Sequence, residues 1–187
     1  MSVILYILIA LIIVIPLYII YLYNSLVRAR NMVEEGWSGI DVQLKRRADL
    51  IPNLVETVKG YAAHEKTVLE EVTEARAAAT SARSVEGTEE AANMMTSALR
   101  HLFAVAESYP DLKADDNFRE LQEQLAETEN MIQKARRYYN GAVRRLNTLV
   151  EQFPSNLVAQ QFRFERARYF EIEDPASRAL PEVSFAG

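Results

Sequence analysis

The chain has 187 residues, of which 49% are hydrophobic and 25% charged, with no cysteine and a net charge of −5. The missing cysteines rule out a disulfide framework, and the acidic balance argues against general nucleic-acid binding, which draws most of its strength from neutralised phosphates. Only six glycines and six prolines occur, while Ala, Glu, Leu and Arg recur throughout, a composition that points to helices.

The first charged side chain is Arg28, and residues 3–23 are almost wholly Ile, Leu, Val and Tyr. At about 1.5 Å per residue that run measures roughly 30 Å, enough to cross a hydrocarbon core and longer than the apolar region of a signal peptide. No Lys or Arg precedes it, Tyr18 to Tyr23 lacks a small-residue cleavage pattern, and Pro16 is better tolerated in lipid than in a soluble core helix. We therefore expect an uncleaved transmembrane anchor. Arg28, Arg30, Lys45, Arg46 and Arg47 follow closely, so the positive-inside bias places the N-terminus outside and the long C-terminal part in the cytoplasm. Tyr18, Tyr21 and Tyr23 mark the membrane boundary.

Val33, Trp37, Ile40 and Leu44 continue the period of the span, which predicts one helix running into the following domain without a flexible joint. Pro52 either kinks that helix or opens the next, because it lacks an amide donor and disfavours helical geometry at Ile51. Beyond it, Ile51, Leu54, Val55, Val58, Tyr61, Ala62, Val68, Leu69, Val72 and Ala75 cover an arc wide enough for more than one neighbour. Ser84 to Gly87 reads as a turn. Thr88 then reads as the cap of a helix with a seam of Ala91, Met95, Ala98, Leu102, Val105 and Tyr109, closed by Tyr109 and Pro110.

The clearest periodicity runs from Phe118 through Leu121, Leu125, Thr128, Ile132, Ala135, Tyr139, Ala142, Leu146 and Leu149 to Phe153, a coiled-coil seam with Asp115 as N-cap and Pro154 as stop. Asn156 caps a shorter helix holding Leu157, Val158, Phe162, Phe164, Tyr169 and Phe170, with Arg163, Arg166 and Arg168 between them. Aromatics mixed with arginines suit interfaces, and three readings stand: packing along the chain's own bundle, contact with another subunit, or an amphipathic helix on an anionic membrane. Tyr23, Asn24, Val27, Arg28 and Asn31 recur at the same spacings as Tyr139, Asn140, Val143, Arg144 and Asn147. The paired asparagines are either buried amides that fix register or solvated polar positions.

These elements define an all-α fold: a transmembrane helix continuing into an antiparallel bundle of about four long helices, plus a short C-terminal helix. The expected divisions are an anchor over 1–24, a cytoplasmic bundle over 25–171 and a tail over 172–187 whose two prolines and small residues favour disorder.

Several stretches together resemble the LemA family of bacterial membrane proteins. They are Tyr23-Asn24 with Arg30-Asn31, Trp37-Ser38, Ile40 to Arg47, Asp49 to Val55, Val58 to Tyr61, His64-Glu65, Tyr109-Pro110 with Leu112-Lys113, Thr128 to Asn130, Ala135-Arg136, Tyr139-Asn140 and Phe153-Pro154. The resemblance covers nearly the whole chain. It implies a short external N-terminus, one span in the bacterial inner membrane and a cytoplasmic helical bundle, and it brings no established biochemical activity. Family members often lie in the genome beside a membrane metalloprotease or a TPM-domain protein, which makes those two candidate partners.

Catalysis finds little support in the residues. A di-iron bundle needs Glu-x-x-His pairs, yet Tyr61 precedes His64 and Ala98 precedes His101 at that spacing. Neither a phosphate-cradling loop nor a nucleophile motif occurs, so no cofactor is expected. The candidate interaction residues are Lys45, Arg46, Arg47, Asp49, Pro52 and Asn53, where three cations meet a helix discontinuity, together with Phe162, Phe164, Arg166, Tyr169 and Phe170. Against a binding role for the first group, its cations can simply pair with Asp41, Asp49 and Glu56. The expectation is a non-catalytic membrane-anchored scaffold that self-associates and touches lipid through residues 3–23, the alternative being an adaptor or regulator of a membrane protease or signalling protein.

Overall fold

A computed structural model describes residues 3–171, and every regular element among them is an α-helix. The first helix, α1, runs unbroken over Val3–Tyr61, a length of about 88 Å. Both Pro16 and Pro52 lie inside it. Pro52 therefore does not open a new helix, and the reason is visible one turn back. Without an amide at position 52 the Ala48 carbonyl has no partner within the helix, and the Arg76 Nε–H donates to it at 3.1 Å.

The break expected at Pro52 falls instead at residues 62–65, before α2 (Lys66–Ser81). The wide apolar arc is thus two narrower stripes on two helices: Ile51, Leu54 and Val58 are buried on α1, and Leu69, Val72 and Ala75 on α2. The next helix, α3 (Val85–Ala106), starts earlier than Thr88. Ser84 is its cap, accepting from the Gly87 amide at 3.0 Å, so the stretch read as a turn is already helical from Val85. Ala91, Met95, Ala98 and Leu102 are buried along it as the seam predicts. A short helix not foreseen, α4 (Pro110–Ala114), has its proline in the first turn, where a missing amide costs nothing.

The long helix α5 (Asp116–Glu151) begins where Asp115 Oδ1 accepts from the Phe118 amide at 2.9 Å, as read from the sequence. Phe118, Leu121, Leu125, Thr128, Ile132, Tyr139, Ala142 and Leu146 are buried along its seam. The last helix, α6 (Ser155–Gln161), is shorter than expected. Asn156 lies inside it rather than capping it, and Phe162 to Glu171 follow in irregular backbone.

The described residues divide into two compact units, residues up to Arg47 with Glu123–Tyr169, and Ala48–Gln122 with Phe170 and Glu171. In the first unit α1 and α5 run antiparallel. The Tyr138 hydroxyl donates to Glu35 at 3.1 Å, the Trp37 and Tyr139 rings stand 5.7 Å apart, and Arg47 reaches Glu129 at 3.0 Å. In the second, the Phe103 and Phe118 rings meet edge to face at 6.2 Å, and the Tyr109 hydroxyl donates to Glu65 at 2.9 Å. There the Phe118 amide and, after it, the Tyr61 hydroxyl donate to Asp115, holding its carboxyl below the usual carboxylate range.

Candidate functional site

The interaction residues read from the sequence fall in two separate places. Lys45 and Phe164 are far apart in the first unit, because Phe164 meets Tyr23, which lies about 33 Å from Lys45 along α1.

The two arginines in Lys45 to Arg47 reach across to α5, to acids other than the Asp41, Asp49 and Glu56 read from the sequence: Arg46 meets Glu127 at 3.5 Å and Arg47 meets Glu129 at 3.0 Å. The two pairs differ in kind. Arg46 and Glu127 are both half exposed, an arrangement worth little. The Arg47 side chain is only 3% exposed, and burial pulls its pKa down while the charge and hydrogen bond of Glu129 oppose that shift. Glu129 also accepts from Gln133 at 2.9 Å, so the acid is fixed from both sides. Arg47 is a structural cation, and Lys45, Asp49, Pro52 and Asn53 remain exposed.

The second group lies against the end of the apolar run. Leu22, Leu26 and Ala29 of α1 share a buried cluster with Leu146 of α5 and Val158 and Ala159 of α6. Beyond α6 the chain turns through Arg163, whose φ of 56° lies in the left-handed region, and doubles back as a strap. Phe162 and Phe164 set their rings 4.8 and 5.8 Å from Tyr23, and the Arg30 guanidinium lies 5.3 Å from the Phe164 centroid. Asn147 secures the strap: its amide accepts from the Ala167 N–H at 2.8 Å and donates to the Ala167 carbonyl at 3.0 Å. The Tyr139 hydroxyl donates to the Arg168 carbonyl at 2.8 Å, and Arg166 pairs with Glu151 at 2.9 Å.

Of the three readings of this segment, packing along the chain's own helices describes Phe164, Arg166 and the fully buried Phe170. Tyr169 and Phe162 stay partly exposed. The asparagine echo resolves unequally, since Asn147 is buried and bonded to backbone while Asn24 and Asn31 are exposed. Sequence reasoning missed Gly36, Tyr138 and Arg76, whose roles depend on partners far along the chain. The tail from Asp174 to Gly187 lies outside the described residues. Among the described residues no three His, Asp or Glu side chains converge as a metal site would require.

Fold and site define an all-helical protein with one helix long and apolar enough to cross a membrane, continuing into packed helices. The LemA family model matches residues 36–185, and the chain belongs to that family. It is similar to the magnetosome protein MamQ 1 of Paramagnetospirillum magneticum, 26% identical over 180 aligned positions covering 82% of this chain and 66% of that protein. The magnetosome protein MamQ of Magnetospirillum gryphiswaldense is 22% identical over 180 positions, with the same coverage. Protein LemA of Metamycoplasma hominis is 26% identical over 153 positions, covering 81% of this chain and 69% of that protein. The chain thus spans 66% of the length of the magnetosome relatives it matches.

Proposed function

We propose that this LemA-family protein is a non-catalytic scaffold, held in the inner membrane by α1 with its helical part on the cytoplasmic side, that self-associates and presents an interaction surface there. The observation that carries the reading is the continuity of α1. Residues 5–21 are exposed, and from Leu22 to Arg47 the same helix packs against α5 with no break between. A helix of that kind couples the bilayer mechanically to whatever the packed helices touch. The basic flank of Arg28 and Arg30, both exposed, supports the cytoplasmic orientation.

Self-association draws support from a groove of about 430 Å³ in the second unit, lined by Val55 and Leu69 with Lys59, Lys66, Glu70 and Glu74. Lysines and glutamates beside apolar side chains suit an isologous contact, in which each lysine of one copy meets a glutamate of the other. Light scattering of the detergent-solubilised protein tests the reading, with an oligomer expected. Lys59→Glu with Lys66→Glu splits that oligomer, as does Glu70→Lys with Glu74→Lys, and mixing the two variants restores association as a heteromer. A monomer for the unaltered protein at all concentrations overturns self-association.

A further inference from the structure

Resting on the reading that α1 crosses the bilayer, we propose that the α5–α6 turn is a second membrane contact, seating Phe153, Leu157 and Phe162 at the boundary between headgroups and acyl chains beside the span. The register of the two long helices sets this depth. Gly36 abuts Tyr139 and Arg47 meets Glu129, so α1 and α5 stay in step along antiparallel axes. Continued at equal rise, that register brings Glu151, the last residue of α5, level with Tyr23 and Asn24, where the apolar run ends.

Side-chain contacts lead independently to the same depth. Val158 and Ala159 of α6 close over Leu22 and Leu26, and Leu22 belongs to the apolar run itself. The Phe162 ring lies 4.8 Å from the Tyr23 ring. The α5–α6 segment therefore stands beside the last turn of the run rather than beyond it. At that level Phe153, Leu157 and Phe162 are 74%, 57% and 51% exposed. Scattered exposed apolar residues are ordinary on a soluble surface. These three differ because the segment that carries them meets α1, through Val158, Ala159 and Phe162, at side chains that the anchor places at the edge of the hydrocarbon.

The charge pattern fits the same occupant. Exposed Arg28 follows Tyr23 by little more than one helical turn, and exposed Arg144 and Arg145 lie about two turns back from the end of α5. Exposed Arg163 adjoins Phe162. Cations stationed just outside an apolar and aromatic layer match the depth of lipid phosphates, the arrangement that draws a protein surface onto an anionic leaflet. Tyr18 and Tyr21, stacked 6.4 Å apart, extend the aromatic layer along α1.

The cysteine-free chain permits a direct test. An environment-sensitive fluorophore is placed on Leu157→Cys in the full-length protein, reconstituted at one copy per nanodisc of phosphatidylcholine and phosphatidylglycerol. Leu17→Cys in the span and Glu123→Cys on exposed α5 serve as references. The expected result is a blue-shifted label at position 157 that loses most of its emission to lipids carrying a nitroxide below the headgroup and resists aqueous iodide, as at 17 and unlike 123. Phe153→Cys repeats the measurement on the other side of the turn. A 157 label that behaves like 123 while 17 is quenched by lipid overturns the second contact and leaves the anchor standing. Shielding from iodide without lipid quenching also overturns it, since a protein surface then covers the turn. A 17 label untouched by lipid overturns the anchor, and the second contact with it.

Discussion

Gly36 shows how a single atom sets the distance between α1 and α5. A Cβ at this position would lie 2.9 Å from the Tyr139 Cα and 3.1 Å from Tyr138 Cδ1, with backbone on one side unable to yield. At Gly141, in the same unit, a Cβ meets nothing within 4 Å. Replacing a helical glycine by alanine ordinarily stabilises by about 1 kcal/mol through lost chain entropy. Gly141→Ala is expected to follow that rule. Gly36→Ala reverses the sign, because forced separation of the helices costs about 1–3 kcal/mol and outweighs the entropy gain. Thermal unfolding of the solubilised protein followed by circular dichroism checks both, and equal shifts in the same direction would refute the close contact. Spacing in the sequence cannot separate these two glycines, since each follows a polar residue and precedes an apolar one, Glu35 and Trp37 for Gly36 and Asn140 and Ala142 for Gly141. The same blindness covered Arg47, which meets Glu129, 82 residues away. For the repeated asparagines the sequence left buried amide and solvated position open alike; Asn147 is buried and bonded to the strap, while Asn24 and Asn31 share its sequence pattern and are exposed.

Among the elements, Pro154 was read as a stop and lies just past the end of α5, whereas Pro52, left open between kinking its helix and opening the next, lies inside α1. The seam from Phe118 to Leu146 and the cap at Asp115 were readable because both depend on neighbours within one or two turns. A proline inside a helix depends on something more distant, namely whether the carbonyl it orphans finds another donor. For Pro52 that donor is Arg76, 28 residues from Ala48, and no local pattern announces the pairing. The consequence is measurable as a thermodynamic coupling. An interior proline costs about 3 kcal/mol, and a hydrogen bond from a charged donor returns about 1.5–3 kcal/mol. Pro52→Ala is accordingly expected to stabilise by about 1–2 kcal/mol, since the new amide serves Ala48 directly. Arg76→Met destabilises the unaltered protein by about 1–2 kcal/mol and has a smaller effect when Ala occupies position 52. A double-mutant cycle in chemical denaturation should return a coupling near 1 kcal/mol. Strict additivity would show that Arg76 acts elsewhere. The C-terminal helix failed for a related reason: its apolar residues keep a helical spacing as far as Phe170, but the backbone beyond Gln161 is held by Asn147 and Tyr139, which offer it partners outside any helix.

Considered as a whole, the chain joins its apolar run to its helical packing more tightly than composition can express. Leu22 belongs to the run by sequence, yet it is buried with Leu26 and Ala29 under Val158, Ala159 and Leu146. Composition reports that a residue is apolar and not whether lipid or protein covers it, so the run's last turn reads as lipid-facing although part of it is core. A fragment starting at Arg28 therefore loses more than solubility in lipid. It loses Leu22 and Leu26, and truncating one buried leucine commonly costs about 2–5 kcal/mol. The loss should be local. Val158 and Ala159 are left facing solvent and the aromatic contacts of Phe162 and Phe164 with Tyr23 disappear, while Asn147, Tyr139, the Arg166–Glu151 pair and Arg30 against the Phe164 ring still hold the strap. Hydrogen exchange is expected to show α6 and residues 162–169 opening far faster in the fragment than in the full-length protein in detergent. The amides of α2 and α3, which pack on one another, should exchange at unchanged rates. Equal protection of α6 in both would mean that this layer of the core stands without the end of the span, and that α1 can be divided at Arg28 into an anchor and an independent helix.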